Sequence, residues 1–268
     1  MPIKVVVSGI GRMGQEVMRA GDNETDLQPA GVLGTKRNFA HGAHGLSLPG
    51  RWNTAPWWTD PVEMLNERRP DVVVDFTSAE RTQVLAQACL NAGVRLVSGT
   101  TGLPDAFIDE FGQECRERGL GAVLASNFAI GAVLMTHMAR IAAHYFDYAE
   151  IIEMHHDKKE DAPSGTALTT ARAMVAGRGR SFQRSTTTKE TLPGTRGGAI
   201  YGISIHSVRL PGLVAHQAVI LGTLGQTLTI RHDSTSRESF MPGVLIAVRE
   251  VMNRRELVVG LDQLIGLA

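Results

Sequence analysis

Cysteine is scarce in this chain, neither sign of charge is in excess, and long apolar runs are missing. Two cysteines among 268 residues are too few for a disulfide framework. Cys89 and Cys115 lie in helix-like segments without metal-ligand or redox spacing, and both read as reduced structural residues of a cytosolic protein. Lys+Arg and Asp+Glu each total 27, giving a formal net charge of +0. Nucleic-acid binding draws most of its affinity from a basic surplus, so it is not expected here, although a local basic pocket stays open. No apolar run reaches membrane-spanning length. Met1 to Val7 runs straight into a strand pattern, without the charged region, apolar run and cleavage site of a signal peptide. The expectation is a cytoplasmic protein that meets neither membrane nor nucleic acid.

What is present is ordinary globular composition, 43% hydrophobic and 20% charged. A chain of 268 residues accommodates two modest domains and buries well over half its surface, so stability needs neither disulfides nor metals. The first half alternates short apolar runs with amphipathic stretches, the pattern of βαβ units and a parallel sheet. Val5 to Val7, Val72 to Phe76, Val94 to Val97 and Ala122 to Ala125 read as buried strands. Arg81 to Ala92 and Asp105 to Arg118 have helical composition, with Gly93 and Gly119 as C-terminal caps. Past Phe128 the character changes. Gly131 to Tyr145 reads as one apolar helix with Met135, Met138, Ile141 and Ala142 along one face. A strand over Glu150 to Met154 leads into His155-His156, and Gly177 to Gly198 reads as a long mobile loop. Period-two alternation over Ile203 to Val208 and Thr227 to His232 predicts strands of a mixed or antiparallel sheet, and Met241 to Val251 a final helix.

Gly9-Ile10-Gly11-Arg12-Met13-Gly14 follows the first strand at once and opens a helix. In that context glycines let the backbone turn tightly and approach a pyrophosphate, whose charge rests on exposed helix N–H groups. The bland alternative is a tight strand-to-helix turn and nothing more. About twenty residues on, where an NAD enzyme presents an acid to the ribose, this chain has Gly34-Thr35-Lys36-Arg37. A missing acid beside Lys36 and Arg37 suits a 2′-phosphate and predicts that NADPH serves at least as well as NADH; a solvated loop pair is the other reading. Gly99-Thr100-Thr101-Gly102 and Ala125-Ser126-Asn127-Phe128 follow successive strands. They sit where strand ends meet a cofactor crevice, and favour a nicotinamide site over plain turns.

Most of the chemistry lies between Glu153 and Leu168. Histidine is the side chain suited to exchanging protons near neutral pH, so His155 and His156 offer proton donors or acceptors, and Lys159 adds a positive charge. Pro163 and Ser164 punctuate the start of a helix at Gly165-Thr166, whose N–H groups bind a carboxylate with help from the Thr166 hydroxyl. One loop thus supplies acid/base groups, a cation and an anion hole, as suits an acidic small molecule that gains a proton after hydride transfer. Surface histidines in a solvated charge run are the bland alternative. A zinc site is rejected, because adjacent histidines on a strand point opposite ways and no cysteine or carboxylate cluster completes a ligand set.

With these residues in view the chain resembles the dihydrodipicolinate reductase family over essentially its whole length. The resemblance is carried by Gly11-Arg12-Met13-Gly14, Ser98-Gly99-Thr100-Thr101-Gly102, Ser126-Asn127-Phe128-Ala129-Ile130-Gly131 and His155-His156 with Lys159. It continues through Asp161-Ala162-Pro163-Ser164-Gly165-Thr166-Ala167, Arg209-Leu210-Pro211-Gly212-Leu213-Val214-Ala215-His216 and Ile230-Arg231-His232-Asp233-Ser234. The His-His block with its Asp-Ala-Pro-Ser-Gly-Thr continuation is far more specific than the glycine motif.

The resemblance implies an α/β fold: a Rossmann-type parallel-sheet nucleotide domain over 1–128, to which 241–268 return, and an α+β substrate and oligomerisation domain with a mixed open sheet over 129–240. It implies NADPH- or NADH-dependent reduction of 4-hydroxy-tetrahydrodipicolinate, a small dicarboxylate cyclic imine precursor, to tetrahydrodipicolinate in diaminopimelate and lysine biosynthesis, by a homotetramer joined through the second-domain sheet. His155 matches the acid/base residue and Lys159 the proton donor. His156, Gly165 and Thr166 match the residues holding the substrate carboxylates. Ser8, Gly9, Ile10, Gly11, Arg12 and Met13, then Gly99 to Thr101 and Ala125 to Phe128, match nucleotide-contacting stretches. Two departures stand out. The family's glycine motif usually begins where this chain has Ser8, and the ribose-binding acid of some members is replaced around Gly34-Thr35, leaving nucleotide preference open. Two other functions are weighed against this one. A related imine or amino-acid dehydrogenase would turn over other substrates, which the intact His155, His156, Lys159, Gly165 and Thr166 set argues against. A silent nucleotide sensor would have no use for an acid/base pair.

Overall fold

Val5 to Val7 and Val72 to Val74 are fully or almost fully buried, the environment in which a strand reads as an unbroken apolar run because helices cover both sheet faces. In the computed structural model, which describes residues 1–35 and 48–267, they lie in the first of two units, Met1–Phe128 with Phe240–Gly266. Its strands are β1 (Ile3–Ser8), β2 (Leu27–Leu33), β3 (Trp57–Trp58), β4 (Val72–Asp75), β5 (Arg95–Ser98), β6 (Ala122–Leu124) and, numbered in chain order, β12 (Leu257–Val259). All pair in parallel, in the order β12-β6-β5-β4-β1-β2-β3. The helices are α1 (Arg12–Asp22), α2 (Pro61–Arg68), α3 (Ala79–Ala92), α4 (Asp105–Arg118) and α7 (Met241–Glu250). Gly93 and Gly119 cap α3 and α4 as the sequence predicts.

From β1 the chain builds outward to β2 on one side and then returns to β4 on the other. The order reverses between β1 and β4, and the crevice outside the carboxyl ends at such a point is where α/β sheets bind ligands. The register aligns those ends: Leu33, Ser8, Asp75, Ser98 and Leu124 lie side by side in one row.

The second unit, Ala129–Ser239, holds α5 (Ile130–Ala142), β7 (Tyr148–His155), α6 (Gly165–Arg178), β8 (Gly198–Ile200), β9 (Ile203–Arg209), β10 (Ala215–Thr223) and β11 (Gln226–Ser234). The sheet order is β11-β10-β7-β9-β8, with β7 and β9 parallel and the other neighbours antiparallel. Ile151, Ile203, Ile205, Val219 and Leu221 of the sheet cluster with Met135, Ala139, Ala167, Ala171 and Met174 of the two helices. A Rossmann-type parallel sheet followed by a mixed sheet is the expected fold class. Among the described residues no helix is long and apolar enough to cross a membrane.

Three local expectations are corrected. The apolar helix ends at Ala142, and Ala143–Tyr145 continue as a 3-10 turn. Met135, Met138 and Ile141 do not share a buried face: Met135 is buried with Ala132 and Ala139, while Met138 and Ile141 are exposed. Repeated steps of three drift about 60° around a helix each time, so only the alternation of three and four stays on the stripe. Gly177 to Gly198 is not one long loop. It begins as the last turn of α6, Gln183 then bridges to Tyr148, and Phe182 is buried with its N–H donating to Tyr201 O at 2.9 Å. Burial of one aromatic ring anchors a segment whose composition is otherwise polar.

Candidate active site

In the first unit the glycine turn separates into three physical roles. Gly9 has φ +92°, and a Cβ there would lie 2.7 Å from Phe76 O; a Cβ on Gly14 would lie 1.8 Å from Gly9 O. Both are demanded by the tight turn and by close helix–strand packing. Gly11 is different. It caps α1 in extended conformation, and a Cβ there would meet nothing within 4 Å. Among the described residues nothing stands where its side chain would be, which leaves open space beside the α1 N-terminus. Ser8 is the buried last residue of β1, Ile10 is buried, and Arg12 and Met13 open α1. The chain's Ser8 therefore stands inside the sheet row, ahead of the turn.

The other predicted nucleotide segments meet at the same row. Gly9 N–H donates to Leu33 O at 2.9 Å, Phe76 N–H to Ser8 O at 3.0 Å, Gly99 N–H to Asp75 O at 2.9 Å and Ala125 N–H to Ser98 O at 3.0 Å. The loops at Gly99-Thr100-Thr101 and Ala125-Ser126-Asn127-Phe128 thus leave the sheet side by side. Phe76 packs on both, its ring 5.8 Å from that of Phe128 and filling the space a Cβ on Gly99 would need. Lys36 and Arg37 lie outside the described residues.

Asp75 is an organising residue that sequence reasoning leaves unassigned. Its fully buried carboxylate accepts hydrogen bonds from four hydroxyls: Thr77 at 2.8 Å, Thr82 at 2.6 Å, Ser98 at 2.9 Å and Thr100 at 3.0 Å. A charge removed from water is tolerated when its lone pairs are filled in this way. Thr100 Oγ1 in turn accepts from Thr77 N at 3.2 Å, which ties the loop after β5 to the loop after β4.

In the second unit the predicted residues fall on three successive pieces of backbone. His155 ends β7, His156 to Lys159 form a turn closed by Lys159 N–H donating to His156 O at 3.2 Å, and Gly165-Thr166 open α6. Ser164 caps that helix, its hydroxyl accepting from Ala167 N at 3.2 Å. No acid occupies the first turn, and the positive end of a helix dipole favours an anion. Gly165 is exposed, with open space where a Cβ would stand.

Glu153 joins these pieces and is fully buried. Its Oε2 accepts from His155 Nδ1 at 2.6 Å and Arg209 Nη1 at 2.8 Å; its Oε1 accepts from Arg209 Nη2 at 2.7 Å and Ser164 N at 3.1 Å. Burial by itself would raise the Glu153 pKa, but hydrogen bonds from His155, Arg209 and Ser207 outweigh it and hold the group at about 2. An ionised carboxylate only accepts, so His155 Nδ1 carries the proton of that bond and Nε2 is the ring nitrogen left for proton exchange. Arg209 Nη2 also donates to Asp161 O at 2.8 Å, and Asp161 Oδ1 accepts from Lys159 Nζ at 2.6 Å. That bond is the main reason the Asp161 carboxyl lies below its ordinary range. Lys159 keeps two further N–H donors. A continuous chain of contacts therefore runs from His155 through Glu153, Arg209 and Asp161 to Lys159. His156 stands beyond the end of β7, so the two histidines are not neighbours within one strand as the sequence reading has them. Among the described residues no group of three or more His, Cys, Asp or Glu is arranged to hold a metal ion.

Sequence reasoning gives Glu153 and Arg209 no role. For Glu153 a signal exists, since residues two apart on a strand share a face and 153 precedes 155 by two. For Arg209 it does not. The residue lies 56 positions from Glu153 in sequence, and only the register that sets His155 opposite Arg209 across β7 and β9 brings them together.

A family model described as "Dihydrodipicolinate reductase, N-terminus" matches residues 3–128, and one described as "Dihydrodipicolinate reductase, C-terminus" matches residues 131–265. The chain is 45% identical over 267 residues to a 4-hydroxy-tetrahydrodipicolinate reductase of Dehalococcoides mccartyi, covering 99% of each. It is 46% identical to one of Geobacillus thermodenitrificans, over 99% of this chain and 100% of the other. A solved dipicolinate-bound dihydrodipicolinate reductase from Paenisporosarcina sp. TG-14 superposes with a TM-score of 0.87 at 41% identity, over 98% of this chain and 99% of that one. An amine dehydrogenase from Mycobacterium smegmatis, at 14% identity and a TM-score of 0.67 over 98% of this chain and 96% of that one, shares the fold alone.

Proposed function

The chain belongs to the dihydrodipicolinate reductase family, and from that membership we propose which of its residues carry the reaction. The protein reduces 4-hydroxy-tetrahydrodipicolinate with a pyridine nucleotide, a step of diaminopimelate and lysine biosynthesis. Bound NAD(P)H supplies the hydride. The substrate loses water to give a conjugated imine, and the enamine left by reduction must gain a proton. His155 exchanges protons with the substrate through Nε2, because Nδ1 is committed to Glu153. Lys159 supplies the second proton-bearing group, its ammonium oriented by Asp161. The α6 N-terminus at Gly165 and Thr166, with His156, holds a carboxylate. The single observation that carries this assignment is the Glu153 bridge, which fixes the acid/base ring and the helix start to one buried carboxylate. That the Paenisporosarcina relative is dipicolinate-bound supports a dicarboxylate ligand for this chain too.

Ser8 to Met13, Gly99 to Thr101 and Ala125 to Phe128 hold the nucleotide, with Gly11 at the closest backbone approach. After β2 the chain continues Gly34-Thr35 without a carboxylate, and this supports use of NADPH at least as well as NADH. A homotetramer formed through the mixed sheet accords with its edge strand β11, whose side chains are mostly exposed. Purified protein given freshly generated 4-hydroxy-tetrahydrodipicolinate and NADH or NADPH in separate runs tests the reading. Substrate-dependent loss of reduced-nicotinamide absorbance is expected with both, at least as fast with NADPH. No oxidation in folded protein that still binds nucleotide overturns it, and a marked NADH preference overturns the nucleotide assignment alone.

A further inference from the structure

The role of Glu153 itself goes beyond the acid/base assignment. A buried ion pair is seldom kept for stability, because desolvating two charges offsets most of their attraction and well-packed apolar residues do as well. Its geometry indicates another use. Each carboxylate oxygen takes one N–H of Arg209, His155 Nδ1 adds to Oε2 and Ser164 N to Oε1, and the Ser207 hydroxyl is a further partner of the group. The ring that exchanges protons and the backbone that opens the anion-holding helix are therefore set by one side chain, with Arg209 clamping it in the plane. We propose that Glu153 is the positioning residue of this site: it locks neutral His155 in the Nδ1–H tautomer, so that Nε2 always presents a lone pair, and holds the α6 start in fixed relation to that ring. This rests on the reading of His155 as the acid/base group.

The two oxygens have partners that differ in one respect. Ser164 N–H can only donate, whereas an imidazole can exchange donor for acceptor by moving its proton. In Glu153→Gln the new NH2 meets an Arg209 N–H on either side, and the Ser207 hydroxyl can donate or accept, so neither of them chooses the orientation. Ser164 does, keeping the amide oxygen and turning the NH2 towards His155. The ring then accepts at Nδ1 and carries its proton on Nε2, with no lone pair left where substrate is met.

The test is long-range proton–nitrogen NMR on full-length protein labelled with 15N-histidine, at a pH where the imidazole is neutral, with His155→Ala identifying the resonance among 9 histidines. Wild type is expected to show His155 as Nδ1–H and Glu153→Gln as Nε2–H. The same variant should lose roughly 100-fold in kcat, the size of a lost proton-transfer group, with little change in nucleotide affinity. A purely structural carboxylate would leave the tautomer unmoved. If Glu153→Gln does not fold, the wild-type spectrum still decides, since an Nε2–H tautomer there overturns the proposal. Wild-type turnover in Glu153→Gln beside an inactive His155→Ala overturns the positioning role alone; wild-type turnover in both removes the reading of His155 and this role with it.

Discussion

Arg209 and Glu153 meet across β9 and β7 as a two-point ion pair, Nη1 to Oε2 at 2.8 Å and Nη2 to Oε1 at 2.7 Å, with the carboxylate wholly buried. Because the folded-state pKa of Glu153 is about 2 against an ordinary 4.5, its contribution to stability is complete above pH 4.5 and is lost as pH falls from there to about 2. The full effect is roughly 3 kcal/mol. Urea unfolding at a series of pH values should therefore show wild type losing stability in that window, and Glu153→Gln following a flatter curve by about that amount. Parallel curves would mean that the carboxyl is not held down by its neighbours.

Removing the other partner leaves a buried charge uncompensated. Arg209→Ala is expected to cost about 3 kcal/mol or more, measured by chemical denaturation at neutral pH. Adding Glu153→Gln to that variant should restore part of the loss, because the stranded group is then neutral. If the double variant is no more stable than Arg209→Ala, the penalty comes from lost packing of the arginine stem.

His155→Ala and Lys159→Ala should each lower kcat by roughly 100-fold or more, the loss typical of a proton-transfer group. Nucleotide affinity, read by fluorescence titration, should hardly move, because both residues stand on the β7–α6 segment and neither belongs to the loops at the β1, β5 and β6 ends. Near-wild-type kcat at saturating substrate in either variant removes that residue from the mechanism.

Thr166→Val keeps the shape of the side chain and deletes its hydroxyl. An anchor that holds a carboxylate equally in substrate and transition state acts on binding, so KM should rise by about 10-fold with kcat within about twofold. Steady-state kinetics over a range of substrate concentrations separates the two. A fall in kcat at constant KM would assign the hydroxyl to the chemical step.

How far the sequence carries depends on whether a feature is local. Val72-Val73-Val74 and the glycine turn are legible because a parallel strand buried on both faces and a strand–turn–helix junction write themselves into a few consecutive residues. The Ser164 cap and the Gly165-Thr166 helix start are legible for the same reason. β10, which joins β7 to β11, shows no clean alternation, since Ala218 and Val219, neighbours on opposite faces, are both buried. The stripe on α5 misleads because two of its three buried members, Ala132 and Ala139, are small residues, while the larger Met138 and Ile141 face outward. Arg209 owes its role to a partner on another strand, and Asp75 owes half of its hydroxyl partners, Ser98 and Thr100, to the neighbouring strand β5 and the loop after it. That register is fixed by the whole sheet and not by the residues beside them.

The glycine turn yields the sharpest separation of packing from binding. Gly14→Ala places a methyl 1.8 Å from Gly9 O, so the backbone must shift; a loss of about 2 kcal/mol or more is expected, as for overpacked cores. Gly11→Ala meets nothing within 4 Å, and its φ of −67° and ψ of −171° are open to alanine. Alanine is only a poorer helix cap than glycine, so stability should fall by no more than about 1 kcal/mol. Nucleotide affinity should fall much further, by about 10-fold or more, because the methyl occupies the space through which a pyrophosphate reaches the α1 N–H groups. Thermal unfolding and nucleotide titration of the two variants settle the matter together. A Gly11→Ala protein of normal stability and normal affinity would show that the pyrophosphate does not approach this turn, and that Gly9-Ile10-Gly11-Arg12-Met13-Gly14 serves packing alone.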